Sequence, residues 1–194
     1  MHARTTLVAL ALMSAAIGCG PSKAHVNHGL EGGTYFLCCT LHFNPDRQAS
    51  DAGYAYDPGS ILPAGTPVQV VREDERLVAL QPLGGTERFN LIFRYGRNVI
   101  TAGQYFQEVL LREDPRPEIA RLRPEIADAI ARSELRIGMT KTEALRARGY
   151  PPRHRTSGIE ADEWLFYQTR DTVWRVRFEA GFLTEVTTDR APGS

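Results

Sequence analysis

Ile137-Gly138-Met139-Thr140-Lys141-Thr142-Glu143-Ala144-Leu145, with Gly149-Tyr150-Pro151-Pro152 close behind, is the stretch that decides the fold of this 194-residue chain. Thr140 and Glu143 stand three residues apart, the spacing of a capping box. The threonine hydroxyl accepts from the Glu143 amide while the glutamate reaches back, so a helix starts here. Gly149 offers a left-handed exit, and the two prolines prevent continuation. Downstream, strands are predicted over 163–169, 173–179 and 182–188, with Arg170-Asp171 and Ala180-Gly181 at the turns. In the middle strand Trp174, Val176 and Phe178 share one face, while Arg175 and Arg177 take the other. That alternation predicts an antiparallel sheet with one buried face.

Working upstream, Arg116-Pro117-Glu118-Ile119-Ala120 recurs as Arg123-Pro124-Glu125-Ile126-Ala127. Each copy puts proline at a first helical position and glutamate where the helix dipole favours it. Ile119, Leu122, Ile126 and Ile130 form an apolar stripe, which Pro124 must kink or split. Asp114-Pro115-Arg116-Pro117 is the clearest break in the chain. Residues 115–190 are therefore expected to form a unit of two helices followed by three strands.

Gly138-Met139-Thr140-Lys141 with Glu143, then Gly149-Tyr150-Pro151, then Trp164 and Tyr167, then the hairpin over 176–183, together resemble the SmpA/OmlA family, also called BamE. The resemblance spans roughly residues 133–188. It implies two helices packed on a three-stranded antiparallel sheet, and binding rather than catalysis. The family's best-known members are outer-membrane lipoproteins that support the β-barrel assembly machinery. Similar modules occur in tandem in a protein inhibitor of β-lactamases. This chain departs from the best-known members in the small Ala144, where a larger aliphatic is usual, and in a long β-rich region ahead of the module.

That region, 34–114, is expected to be a small SH3-like β-barrel ending in a helix. Residues 34–41 are rich in β formers, 46–60 read as a loop with Asp57-Pro58-Gly59-Ser60 as its turn, and strands follow at Val68-Gln69-Val70-Val71, 76–81 and 89–95. The charged run Arg72-Glu73-Asp74-Glu75 is expected to turn the chain. Pro63-Ala64-Gly65-Thr66-Pro67-Val68 before a hairpin is similar to the entry of bacterial SH3-like barrels, which bind peptides, glycans or proteins. Thr101 caps a helix predicted over 102–112. The fold class is thus α+β, with an N-terminal barrel and a C-terminal two-helix, three-stranded sandwich.

The first residues locate the protein. Arg4 precedes the apolar stretch Leu7-Val8-Ala9-Leu10-Ala11-Leu12-Met13, which is too short to span a bilayer but of the length of a secretory signal. Ala16-Ile17-Gly18-Cys19 resembles the bacterial lipobox, so residues 1–18 are expected to be removed and Cys19 acylated. Several acyl chains hold a protein stably on a membrane where one does not. Residues 19–33, polar and glycine-rich, then form a tether of roughly 45 Å at about 3.3 Å per residue. The absence of Asp after the cysteine resembles the signal for passage to the outer membrane.

Composition narrows the function. With 23 basic and 23 acidic residues the formal net charge is zero, which excludes a nucleic-acid binder driven by bulk positive charge. A content of 42% hydrophobic residues excludes a disordered tail. There is no Ser-His-Asp order, phosphate loop, HExxH or Cys-x-x-Cys, and His25 with His28 is too few ligands for a metal. No catalytic residue, cofactor or metal is expected. The carboxylate clusters Glu73-Asp74-Glu75 and Asp162-Glu163 read as charged turns. Cys38 and Cys39 read as a buried and a half-exposed small residue. A strained pair, an intermolecular link, and a thiol nucleophile served by His42 are the alternatives. Arg146, Arg148, Arg153, His154 and Arg155 form a basic run. It reads either as a solvated loop or as a contact for anionic phospholipid or an acidic protein surface. The expected function is a non-enzymatic outer-membrane lipoprotein that scaffolds envelope proteins. The other reading is a periplasmic binding or inhibitor module for a hydrolase or cell-wall ligand.

Overall fold

A computed structural model describes residues 27–55 and 59–191. The expected signal segment, Cys19 and most of the predicted Asp57-Pro58 turn lie outside the described residues. The chain is a mixed α+β protein.

In the first half, β1 (Thr34–Leu37), β5 (Pro67–Asp74), β6 (Leu77–Pro82) and β7 (Phe89–Ile92) form the body of a six-stranded sheet. β3 (Gln48–Ser50) closes one edge and β8 (Leu110–Leu111) the other, giving the order β3-β7-β6-β5-β1-β8 in a curled half-barrel. β2 (Leu41–Phe43) pairs separately with β4 (Ser60–Leu62). Inside lie Leu37, Phe43, Val68, Leu80 and Leu91, all fully buried. The helix α1 (Ala102–Val109) covers them with Tyr105, Phe106 and Val109. Its start is a capping box in which Thr101 accepts from Gln104 and Gln104 reaches back.

The structure corrects the sequence reading here at several points. Residues 34–41 are not one strand: the chain turns at Cys38-Cys39-Thr40 between β1 and β2. The 46–60 loop contains β3, which pairs parallel with β7 across forty residues of chain. The hairpin turn is Glu75-Arg76, so Glu73 stays in β5. The helix ends at Val109 because Leu110-Leu111 are drawn into the sheet beside β1. Of the expected tether, residues 28–33 are docked. The Glu73 carboxylate accepts from the amides of His28, Leu30 and Glu31, and Gly32 donates to Val70 O at 2.8 Å.

In the second half, Pro117 opens the short α2 (Arg116–Ile119) and Pro124 opens α3 (Pro124–Ala131), so the proline splits the stripe into two helices. α4 (Lys141–Arg148) begins at the expected Thr140/Glu143 box. β9 (Glu163–Tyr167), β10 (Thr172–Glu179) and β11 (Phe182–Arg190) form an antiparallel meander in the order β11-β10-β9. Ile126, Ile130, Met139, Ala144 and Ala147 meet Trp164, Phe166, Val176, Phe178 and Leu183 in a second core. The Trp164 and Phe178 rings lie 4.7 Å apart, within the range of favourable aromatic pairing. The small Ala144 and Ala147 let α4 lie close on the sheet. The other face of this sheet is not simply solvated as expected. Val173 and Tyr167 are buried there against Ala52 and Tyr54 from the first half.

Candidate functional site

The two halves meet along a seam built on the turn Cys38-Cys39-Thr40 and on β2. Several polar groups of that turn are met from the second half. Thr40 N donates to Arg146 O at 2.9 Å, and Thr40 Oγ1 donates to Ile130 O at 3.1 Å. Arg146 Nη1 returns a bond to Cys38 O at 2.6 Å, and its Nη2 reaches Glu118. Gly149 (φ +85°) passes directly over the turn: an added Cβ would sit 3.6 Å from Thr40 O and 3.8 Å from Cys39 Sγ. Those are ordinary contact distances, so it is the left-handed backbone at Gly149 and not the space over the turn that favours glycine.

Cys38 and Cys39 are bonded to each other and buried. The expectation of two separate thiols gives way because the chain turns there instead of running as a strand, which would point the side chains to opposite faces. The nucleophile reading of Cys39 with His42 finds no free thiol. His42 is otherwise engaged: Nε2 lies 2.6 Å from Ser133 Oγ, and Ser133 Oγ donates to Ala147 O at 2.9 Å. Since the serine proton goes to Ala147, the imidazole must donate, so His42 carries its proton on Nε2 and leaves Nδ1 bare. Burial first, and the Arg148 charge second, push its pKa down to about 3.

The basic run is placed largely inward. Arg148 is 3% exposed, and its Nε, Nη1 and Nη2 have no hydrogen-bond partner. Its guanidinium instead stacks 4.8 Å from the Trp174 ring centroid and 5.9 Å from that of Phe166. Such contacts contribute about 2 kcal/mol when desolvated. Burial lowers its pKa to about 10. Arg153 pairs with Glu108 of α1 at 2.7 Å and lies over Tyr150. Arg155, on the surface, donates from Nε to the Tyr167 hydroxyl at 3.0 Å. His154 stacks on Tyr95, and its pKa is lowered, chiefly by burial. Arg146, Arg148 and Arg153 therefore join the halves and offer little surface to lipid headgroups.

The motif residues have structural tasks. Gly138 takes φ +87° and donates to Leu183 O at 2.7 Å. Met139 and Trp164 are fully buried, and Pro151 is buried. Tyr167 bridges the Arg155 contact and the Tyr54 ring at 5.1 Å.

Two carboxylates organise the first half: Asp51, which the sequence did not single out, and Glu73, which it read as part of a charged turn. Asp51 accepts from the amides of Arg94, Tyr95 and Gly96, and Glu73 gathers residues 28–31. No local sequence signal marks either one, because their partners lie more than forty residues away. A small cavity of about 30 Å³ opens in the seam, lined by Cys39, Thr40, His42, Asp51, Tyr105 and Arg148 among others. Among the described residues no cluster of His, Cys, Asp and Glu could hold a metal ion, and no helix is long and apolar enough to cross a membrane. No protein family, curated protein or solved structure matches this chain.

Proposed function

We propose that this chain is a non-enzymatic outer-membrane lipoprotein. In this reading an SH3-like half-barrel and an SmpA/OmlA-like helical sandwich act together as a scaffold, anchored through acylated Cys19 and facing the periplasm. The observation that carries the proposal is the seam. The turn at 38–40 is hydrogen-bonded to α3 and α4, so the two modules form one body with a fixed relative orientation. Two independent binding modules would be joined by a linker with few crossing contacts. A scaffold that sets the geometry of its partners needs the opposite.

The element order α3, α4, β9, β10, β11 supports the family resemblance, as does the Thr140/Glu143 box. The partners are envelope proteins, the β-barrel assembly machinery being the one that the resemblance names. Anionic phospholipid is the weaker partner, because, of the basic run, only Arg155 is exposed. Ile137 and Phe182 supply an apolar contact for a protein. Both are more than half exposed, and the Gly138–Leu183 bond holds them at one edge of the sandwich.

Photo-crosslinkers placed at Ile137 and Phe182 of the full-length chain in intact envelopes test the proposal. The scaffold reading requires a discrete protein adduct that disappears when Cys19→Ala releases the chain. Crosslinking to lipid alone contradicts it. An adduct with a soluble hydrolase that survives Cys19→Ala points instead to the inhibitor reading.

A further inference from the structure

We propose that the seam cavity binds one small monovalent anion, a halide or the carboxylate of formate, held beside the guanidinium of Arg148. Three observations converge there. The first is the cation itself. Arg148 is the last residue of α4, it is 3% exposed, and none of its three nitrogens has a hydrogen-bond partner. A guanidinium carries five N–H donors. Burying them unpaired is costly, and stacking on Trp174 and Phe166 satisfies none of them.

The second observation is the space beside it. The cavity lined by Arg148, Thr40, Ser50, Asp51 and Tyr105 has about 30 Å³, room for roughly two water-sized bodies. That admits a single halide or the two oxygens of a small carboxylate, and it excludes a tetrahedral oxyanion. The third is that no carboxylate pairs with Arg148. Asp51 lines the same cavity and keeps its negative charge, but its oxygens accept from the amides of Arg94, Tyr95 and Gly96 and not from the guanidinium. Glu108 is engaged by Arg153. His42, which also lines the cavity, is neutral and donates to Ser133. Guanidinium is weakly hydrated and pairs well with an anion of low charge density. The site lies between the two halves, so occupancy would tighten the seam.

Thermal melts of the detergent-solubilised full-length chain at constant ionic strength test this, with chloride, bromide or formate replacing sulfate. Constant ionic strength removes general screening. In the halide or formate series the Tm rises by about 3–5 °C per tenfold increase above the dissociation constant, and sulfate gives no rise. A response to formate but not halide identifies the carboxylate as the natural ligand class; a response to both leaves the site open to either. Arg148→Met abolishes the dependence, whereas Arg148→Lys keeps part of it. Should Arg148→Met fail to fold, bromide anomalous scattering from wild-type crystals decides: a peak beside Arg148 is expected. Equal Tm response to all four anions, or water alone in the cavity at saturating bromide, overturns the proposal.

Discussion

Acidification should destabilise the fold through His42, because the unfolded chain takes up a proton that the buried ring refuses. The imidazole ordinarily titrates near 6.5, and in the fold its pKa is pushed down to about 3. A base whose folded pKa is depressed contributes stability that is fully present above pH 6.5 and is lost as pH falls toward 3, because only the unfolded chain takes up the proton. At pH 4 the difference amounts to about 3 kcal/mol, an upper figure since the ring is only part-buried. The causes are on hand. Protonation would place a charge on Nδ1, in a part-buried site already facing the Arg148 guanidinium, with Asp51, Tyr54, Tyr105 and Tyr150 the other titratable groups around the same cavity. Denaturant midpoints measured from pH 7 to pH 4 read the loss directly. His42→Gln supplies the control: its amide NH₂ can still donate to Ser133, and it does not titrate. The wild type should lose more than His42→Gln over that range, by up to about 3 kcal/mol. Equal acid sensitivity of the two chains would refute the assignment of His42 as a neutral, seam-bound donor.

Further outcomes follow from single contacts. Thr40→Val leaves Ile130 O and the Ala64 amide without their bonds, costing about 1–3 kcal/mol for each group, read as a lower urea midpoint. Trp164→Ala opens the second core and should cost about 3–5 kcal/mol, a fall of roughly 6–20 °C in Tm. Glu73→Gln removes the charged acceptor for residues 28–31. Amide exchange should then accelerate at Leu30 and Glu31, while Val176 and Leu183 keep their protection.

The parts of the fold that could be read in the sequence are those governed by local chemistry. The Thr140/Glu143 box and the Thr101 cap formed as expected because a cap and its partner amide lie within one turn of chain. The meander appeared because alternation and turn residues agree. Long-range contacts decided the rest. Residues 34–41 carry strand-forming side chains throughout, yet pairing stops at Leu37, and Cys38 N turns to Val109 O instead. Glu73 looked like a turn residue. A bulge between Val70 and Arg72 shifts the alternation of β5 by one, which brings Glu73 inward. Arg148 sits in a short, polar helix and reads as solvated. Its burial depends on the first half folding over the end of α4, and nothing within α4 announces that. The anchor motif at Cys19 and the SmpA/OmlA motifs are read from sequence.

Mass spectrometry of the mature amino terminus, combined with membrane fractionation, tests the central claim most directly. The account predicts a chain that begins at triacylated Cys19, sediments with the outer membrane, and becomes soluble in the Cys19→Ala variant. A mature protein recovered from the soluble periplasm with an unmodified thiol at its first residue would contradict it.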